Sequence, residues 1–217
     1  MQKIICHFIL LDLSKAFDTV LFPLLIKKLS NYGIRNLNLD WLSSYLYDRT
    51  QFTIVNTELG LLHSEGRLLN SGVPQGSILG PLLFSLFIAD LPHVVRNCSI
   101  QLFADDIQLF LSFPPCDVLQ ASILFPPCDV LQASILINED LASIHDWTLR
   151  NSLSLNPSKC QGILMGSKHF CQLISGIDVS IAGVRIPCSD SLRNLGVIFD
   201  REVIFTNHVS SVSQSLL

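Results

Sequence analysis

The chain has 217 residues, of which 49% are hydrophobic and 15% charged, and its formal net charge is −4. That is enough apolar chain for one domain with a real core, and the acidic balance excludes a surface dominated by a basic stripe for nucleic-acid backbone. The seven cysteines contain no Cys-x-x-Cys pair and no zinc-spaced Cys/His cluster, which excludes a zinc module and suits buried thiols in a reducing compartment.

Taken in order, Ile4–Leu13 is an almost unbroken apolar run that reads as a buried strand ending in Asp12. Ser14–Asp18 begins a turn or short helix. Leu21–Asn31 carries apolar residues at helical spacing, closed by Tyr32-Gly33 as a C-cap, and Leu37–Tyr47 is a second amphipathic helix. Gln51–Val55 and Gly66–Leu69 read as a hairpin with a long polar tip. Ser71–Phe84 is a Gly/Pro-rich loop feeding a helix that runs to about Asp90, with Pro81 suited to its first turn. Its apolar run, Ile78–Leu91, is too short and too interrupted to span a membrane, and the N-terminus lacks a signal-peptide cleavage site. An intracellular, non-secreted protein of nucleus or cytoplasm is expected.

Ser99–Leu111 is a hairpin with Asp105 and Asp106 side by side at its turn. Phe113–Leu124 is then repeated residue for residue as Phe125–Leu136, a tandem duplication of 12 residues rather than a stacking repeat. Pro126-Pro127 breaks any helix begun in the first copy, so the second copy should lead into a long helix, Val130–Asn151, and the first should form an extra turn or a bulged loop. A β-rich tail follows: strand Gln161–Met165, a hairpin across Ala182-Gly183, strand Leu192–Phe199, and a helix from Phe205 onward. Helices and strands alternate without strict βαβ order, so the class is α+β.

Adjacent carboxylates at a hairpin tip repel unless a cation sits there, although an acidic pair can also be a solvated turn. Asp12, at the end of a buried strand, is either a helix N-cap or a third carboxylate beside that pair. Three aspartates on neighbouring strands are able to hold two divalent ions for in-line displacement at phosphorus, a role that suits Mg²⁺.

Leu11-Asp-Leu-Ser-Lys-Ala-Phe-Asp18, Gly72-Val-Pro-Gln-Gly-Ser-Ile-Leu-Gly-Pro81, Phe103-Ala-Asp-Asp106, Asn156-Pro-Ser-Lys159 and Leu195-Gly-Val-Ile-Phe-Asp200 occur in this order. They resemble motifs A to E of the reverse transcriptases of non-LTR, LINE-type (jockey-like) retrotransposons. The resemblance implies a polymerase palm, an antiparallel sheet backed by helices. It implies an RNA-directed DNA polymerase acting on an RNA template, a DNA primer and deoxynucleoside triphosphates, with two Mg²⁺ ions for which Mn²⁺ can substitute. Asp12, Asp105 and Asp106 would be the metal carboxylates, with Asp12 and Asp105 close enough to share one ion. Lys159 would protonate the leaving pyrophosphate. Phe17 would stack under the incoming sugar, and Gln75 and Gly76 would meet the incoming nucleotide. The strand through Leu195-Gly196 matches the primer grip.

The same resemblance sets residues 1–200 as the palm and 201–217 as the start of a thumb helix, with fingers absent and 113–136 as the duplication. Leu21-Phe22 stands where the family commonly has Asp-His, and Phe103 where Tyr is more usual. An incomplete copy is expected. The alternative is a catalytically dead remnant or a domesticated nucleic-acid-binding module. The sequence does not indicate an oligomeric state.

Overall fold

The computed structural model describes residues 5–58, 60–113, 128–168 and 177–215. The strands in chain order are β1 (Ile5–Leu11), β2 (Thr50–Gln51), β3 (Ile54–Thr57), β4 (Gly60–His63), β5 (Arg67–Leu68), β6 (Ser99–Phe103), β7 (Asp106–Phe113), β8 (Gln161–Met165), β9 (Ser180–Ile181), β10 (Val184–Arg185), β11 (Cys188–Ser189), β12 (Ser191–Asn194) and β13 (Val197–Asp200). The helices are α1 (Phe22–Asn31), α2 (Leu37–Leu46), α3 (Leu79–Ile88), α4 (Cys128–Arg150) and α5 (Thr206–Ser215), with 3₁₀ turns at Ala16–Asp18 and Leu91–Val94. The chain divides into two compact units, one of Met1–Ser14, Leu91–Leu149 and Ser154–Leu217, the other of Lys15–Asp90 and Arg150–Leu153.

The first unit is built on a sheet of five strands in the order β11-β8-β1-β7-β6. All pairings are antiparallel except β11 with β8. β1 is central, which is why its sequence is apolar on both faces. One face presents Ile5, His7, Ile9 and Leu11, all buried. The other presents Phe8, which clusters with Ile163 and Leu192 and is flanked by Leu10, Phe110, Met165 and Phe199. The β12–β13 hairpin thus supplies part of the cover for that second face. α4 buries Ala133, Ile137, Leu141 and Ile144, a stripe at helical spacing. Within that stripe Asp140 is buried, and its carboxylate accepts the backbone N–H groups of Arg96, Asn97 and Cys98 at 2.9, 2.9 and 2.7 Å. It satisfies the chain that enters β6. Burial and the neighbouring carboxylate push the Cys98 thiol up to about 12, so it stays protonated.

In the second unit α1 begins with Pro in its first turn and buries Phe22, Leu25 and Leu29. It ends as the Tyr32-Gly33 reading expects, with Gly33 at φ 92 and the Tyr32 N–H on the Lys28 carbonyl. Lys28 Nζ donates to the Phe87 carbonyl and to Asp90 Oδ1, both at 2.7 Å, and so caps the C-terminal end of α3. α3 is apolar on nearly every side and buries Leu83, Phe84, Phe87 and Ile88.

Two strand expectations are corrected. The tip between Gln51–Val55 and Gly66–Leu69 is not a plain polar loop, because it folds into a further pair, β3 with β4, beyond β2 with β5. Leu192–Phe199 is not one strand. Leu195 and Gly196 both take positive φ (46° and 84°), the geometry of a two-residue hairpin turn, and split the segment into β12 and β13. The expectation for the first copy of the duplication falls on residues outside those described, while the second copy leads into α4 as expected. Among the described residues no helix is long and apolar enough to cross a membrane.

Candidate active site

Asp12 follows the last residue of β1, and its backbone is fixed by the segment after α4. The Asn156 N–H donates to the Asp12 carbonyl at 2.8 Å, the Ser14 N–H to the Ser154 carbonyl at 2.7 Å, and Leu13 bridges Leu155. The β1–β7 register ends at Leu11 opposite Ile107, so one further step sets Asp12 opposite Asp106. β6 and β7 are joined through Ala104 and Asp105, with Phe103 paired to Asp106. Ala104 sits at φ 52, a left-handed conformation that a Cβ disfavours and that two-residue hairpin turns demand.

Asp106 senses the other two carboxylates. Partial burial, then Asp105, then Asp12, raise the Asp106 carboxyl above the ordinary carboxylate range. Among the described residues no three His, Cys, Asp or Glu side chains are already grouped to hold a metal ion. Asp12, Asp105 and Asp106 therefore lie at the same end of β1, β6 and β7 without being grouped as a metal site. Hard carboxylate oxygens whose repulsion a cation relieves fit a divalent ion such as Mg²⁺.

Lys159 closes the turn Asn156–Lys159, its N–H on the Asn156 carbonyl at 3.0 Å. Its Nζ lies 3.8 Å from Asp12 Oδ2, and both side chains remain solvent-accessible, so the pair adds little stability and leaves the ammonium free to move. Asp12, Asp105, Asp106 and Lys159 thus all belong to the first unit.

Phe17, Gln75 and Gly76 belong to the second unit. The 3₁₀ turn Ala16–Asp18 half-buries Phe17, whose ring stacks on Phe84 with centroids 4.5 Å apart. The loop before α3 is laced to this turn. The Gly72 N–H donates to the Val20 carbonyl (2.8 Å), the Val73 N–H to the Phe17 carbonyl (2.9 Å) and Ser71 Oγ to the Asp18 carbonyl (3.0 Å). Gly72 is required here, since a Cβ would stand 3.1 Å from the Asp18 carbonyl oxygen and φ is 92°. Gly80 is required at the helix start, where a Cβ would strike the Pro74 carbonyl. Ser77 Oγ donates to that same carbonyl (2.8 Å) and accepts the Gly80 N–H (2.9 Å). Gln75 is exposed, and its Nε2 donates to Asp18 Oδ1 at 3.1 Å. Asp18, Ser71, Gly72 and Gln75 border a cleft of about 740 Å³ whose other walls include Arg49, Gln51 and Asn70, while Phe17 and Gly76 are not among its lining residues.

The sequence profile of "Reverse transcriptase (RNA-dependent DNA polymerase)" matches residues 2–199. The chain belongs to the reverse transcriptase family. It is 29% identical to the "Probable RNA-directed DNA polymerase from transposon BS" of Drosophila melanogaster, over 98% of this chain and 22% of that protein. It is 28% identical to the "RNA-directed DNA polymerase from mobile element jockey" of Drosophila funebris, over 94% of this chain and 21% of that protein. This reverse transcriptase domain, of the non-LTR retrotransposon kind, thus spans about a fifth of the length of these relatives. The fold is also that of solved telomerases. The Candida albicans enzyme superposes with a TM-score of 0.54 at 14% identity over 93% of this chain and 31% of that one, and the Candida tropicalis enzyme with 0.52 at 11% over 93% and 35%.

Sequence reasoning on this reverse transcriptase domain missed Asp18, Arg49 and Asp140. Asp18 lay in plain view within the Ala16-Phe-Asp18 segment, but nothing in a linear pattern says that its carboxylate meets an amide 57 residues away.

Proposed function

We propose that the chain is the palm of an RNA-directed DNA polymerase that transfers deoxynucleotides to a primer by a two-metal mechanism. The observation that carries this reading is the strand register, which sets Asp12 opposite Asp106 at the tip that also bears Asp105; burial first, then Asp105 and Asp12, raise the Asp106 carboxyl. Such a trio invites divalent cations. Asp12, Asp105 and Asp106 would hold two Mg²⁺, or Mn²⁺ in their place. When bound, the ions supply activation of the primer 3′-hydroxyl and neutralisation of the leaving pyrophosphate. Lys159, an exposed ammonium near Asp12, would donate a proton from Nζ to the pyrophosphate. Phe17, its ring braced by Phe84, would stack under the incoming sugar, while Gln75 and Gly76 would contact the deoxynucleoside triphosphate. The partners are then an RNA template, a DNA primer and deoxynucleotides, with residues 1–200 as palm and 201–217 as the beginning of a thumb.

Purified chain, oligo(dT) on poly(rA), dTTP and Mg²⁺ test this reading. Extension that Asp105→Ala abolishes is the expected result. Extension unaltered by Asp105→Ala refutes the site, and a folded chain that extends nothing refutes polymerase activity and leaves the non-catalytic remnant.

A further inference from the structure

We propose that Asp18 is a positioning residue that acts through Gln75, fixing which end of the Gln75 carboxamide faces the nucleotide; this rests on the polymerase reading above. A carboxylate can only accept hydrogen bonds, so Asp18 Oδ1 at 3.1 Å must receive the Gln75 NH₂ group and not its carbonyl. Gln75 Oε1 is thereby turned away from Asp18. It becomes the acceptor offered to a hydroxyl or amino donor on the deoxynucleotide. Without the carboxylate the carboxamide is free to rotate, and half of its orientations offer NH₂ to a group that needs an acceptor.

Asp18 is well placed to impose this because its own backbone is held from several sides. Its N–H donates to the Lys15 carbonyl at 2.9 Å, closing the 3₁₀ turn, and its carbonyl accepts Ser71 Oγ. The absence of a Cβ at Gly72 lets the second loop close onto it. Thr19 Oγ1 also bonds back to the Lys15 and Ala16 carbonyls at 3.2 Å each. The turn is thus rigid without any help from the Asp18 side chain. That frees the carboxylate for Gln75, and it also predicts that removing the carboxylate leaves the turn folded. Asp18, Gln75 and Arg49 line the same cleft, so a ligand there meets an acceptor and a guanidinium together.

The test is a double-mutant cycle on dTTP binding by the full chain with oligo(dT) on poly(rA). Asp18→Ala and Gln75→Ala are each expected to weaken binding about tenfold, and the double variant also about tenfold, because Asp18 works only through Gln75. Asp18→Asn, whose carbonyl oxygen can still take the NH₂, recovers part of the loss. A double variant weakened about a hundredfold makes the two residues independent and overturns the proposal, as does Asp18→Ala with unchanged binding. The ¹⁵N-resolved carboxamide signal of Gln75 gives a second readout that needs no nucleotide. Asp18→Ala should shift it and speed its proton exchange, and an unshifted signal overturns the pairing. Wild-type protein that binds no dTTP refutes the polymerase reading, and the carboxamide signal then decides the Asp18–Gln75 pairing alone.

Discussion

His7 makes the first unit sensitive to acid. Its imidazole is 1% exposed on the central strand, and neither ring nitrogen has a hydrogen-bond partner among the described residues. Its neighbours in register are Leu111 on β7 and Leu164 on β8, and Nε2 reaches over Gly162, so no carboxylate from the adjoining strands faces it. Burial lowers the imidazole from 6.5 to about 4. The folded value lies below the unfolded one, so the unfolded chain binds more protons between pH 6.5 and 4, and stability falls as pH falls through that window. A shift of this size corresponds to about 3 kcal/mol in full, of which about 2 kcal/mol is lost between pH 7 and pH 5. The assay is urea denaturation of wild type and His7→Leu at both pH values. His7→Leu removes the titrating group and two unsatisfied nitrogens at similar volume. It should be more stable at pH 7 by about 1–2 kcal/mol and should lose about 2 kcal/mol less than wild type on acidification. Equal pH dependence in the two proteins would show that His7 is hydrated or paired in solution and would refute the reasoning.

Asp140→Ala leaves three part-buried backbone N–H groups at the entry to β6 without their acceptor and should cost about 2–3 kcal/mol in a urea melt, with Asp140→Asn intermediate because one oxygen acceptor remains. Gly80→Ala drives a methyl into the Pro74 carbonyl and should cost about 2 kcal/mol, read as a lowered urea midpoint; an unchanged midpoint would mean that the loop before α3 shifts freely.

Much of this architecture was legible because it is local. β1, α1 and α3 announce themselves by unbroken or periodic apolar residues, and the β6–β7 hairpin by two apolar arms around a short acidic turn. The split at Leu195-Gly196 was less visible because the leucine looks like strand material. Only its positive φ, forced by the turn, reveals its place. The exposed β3–β4 pair was hidden for a related reason, since Ile54, Val55, Leu61 and Leu62 suggest burial that the structure does not give them. Asp12 and the acidic pair could be named from the chain, but their coupling follows from the β1–β7 register. Asp18 with Gln75 and Asp140 with Arg96–Cys98 join distant segments through polar groups, and a polar residue carries no periodic signal that identifies its partner.

The left-handed Ala104 sets stability against accuracy at a single position. Glycine would relieve its backbone strain and is the residue such turns favour. It would also widen the range of φ and ψ open to the tip that carries Asp105 and Asp106. A methyl group at Ala104 narrows that range. The strained alanine therefore trades local stability for a narrower range of backbone geometry at the turn that carries two like charges.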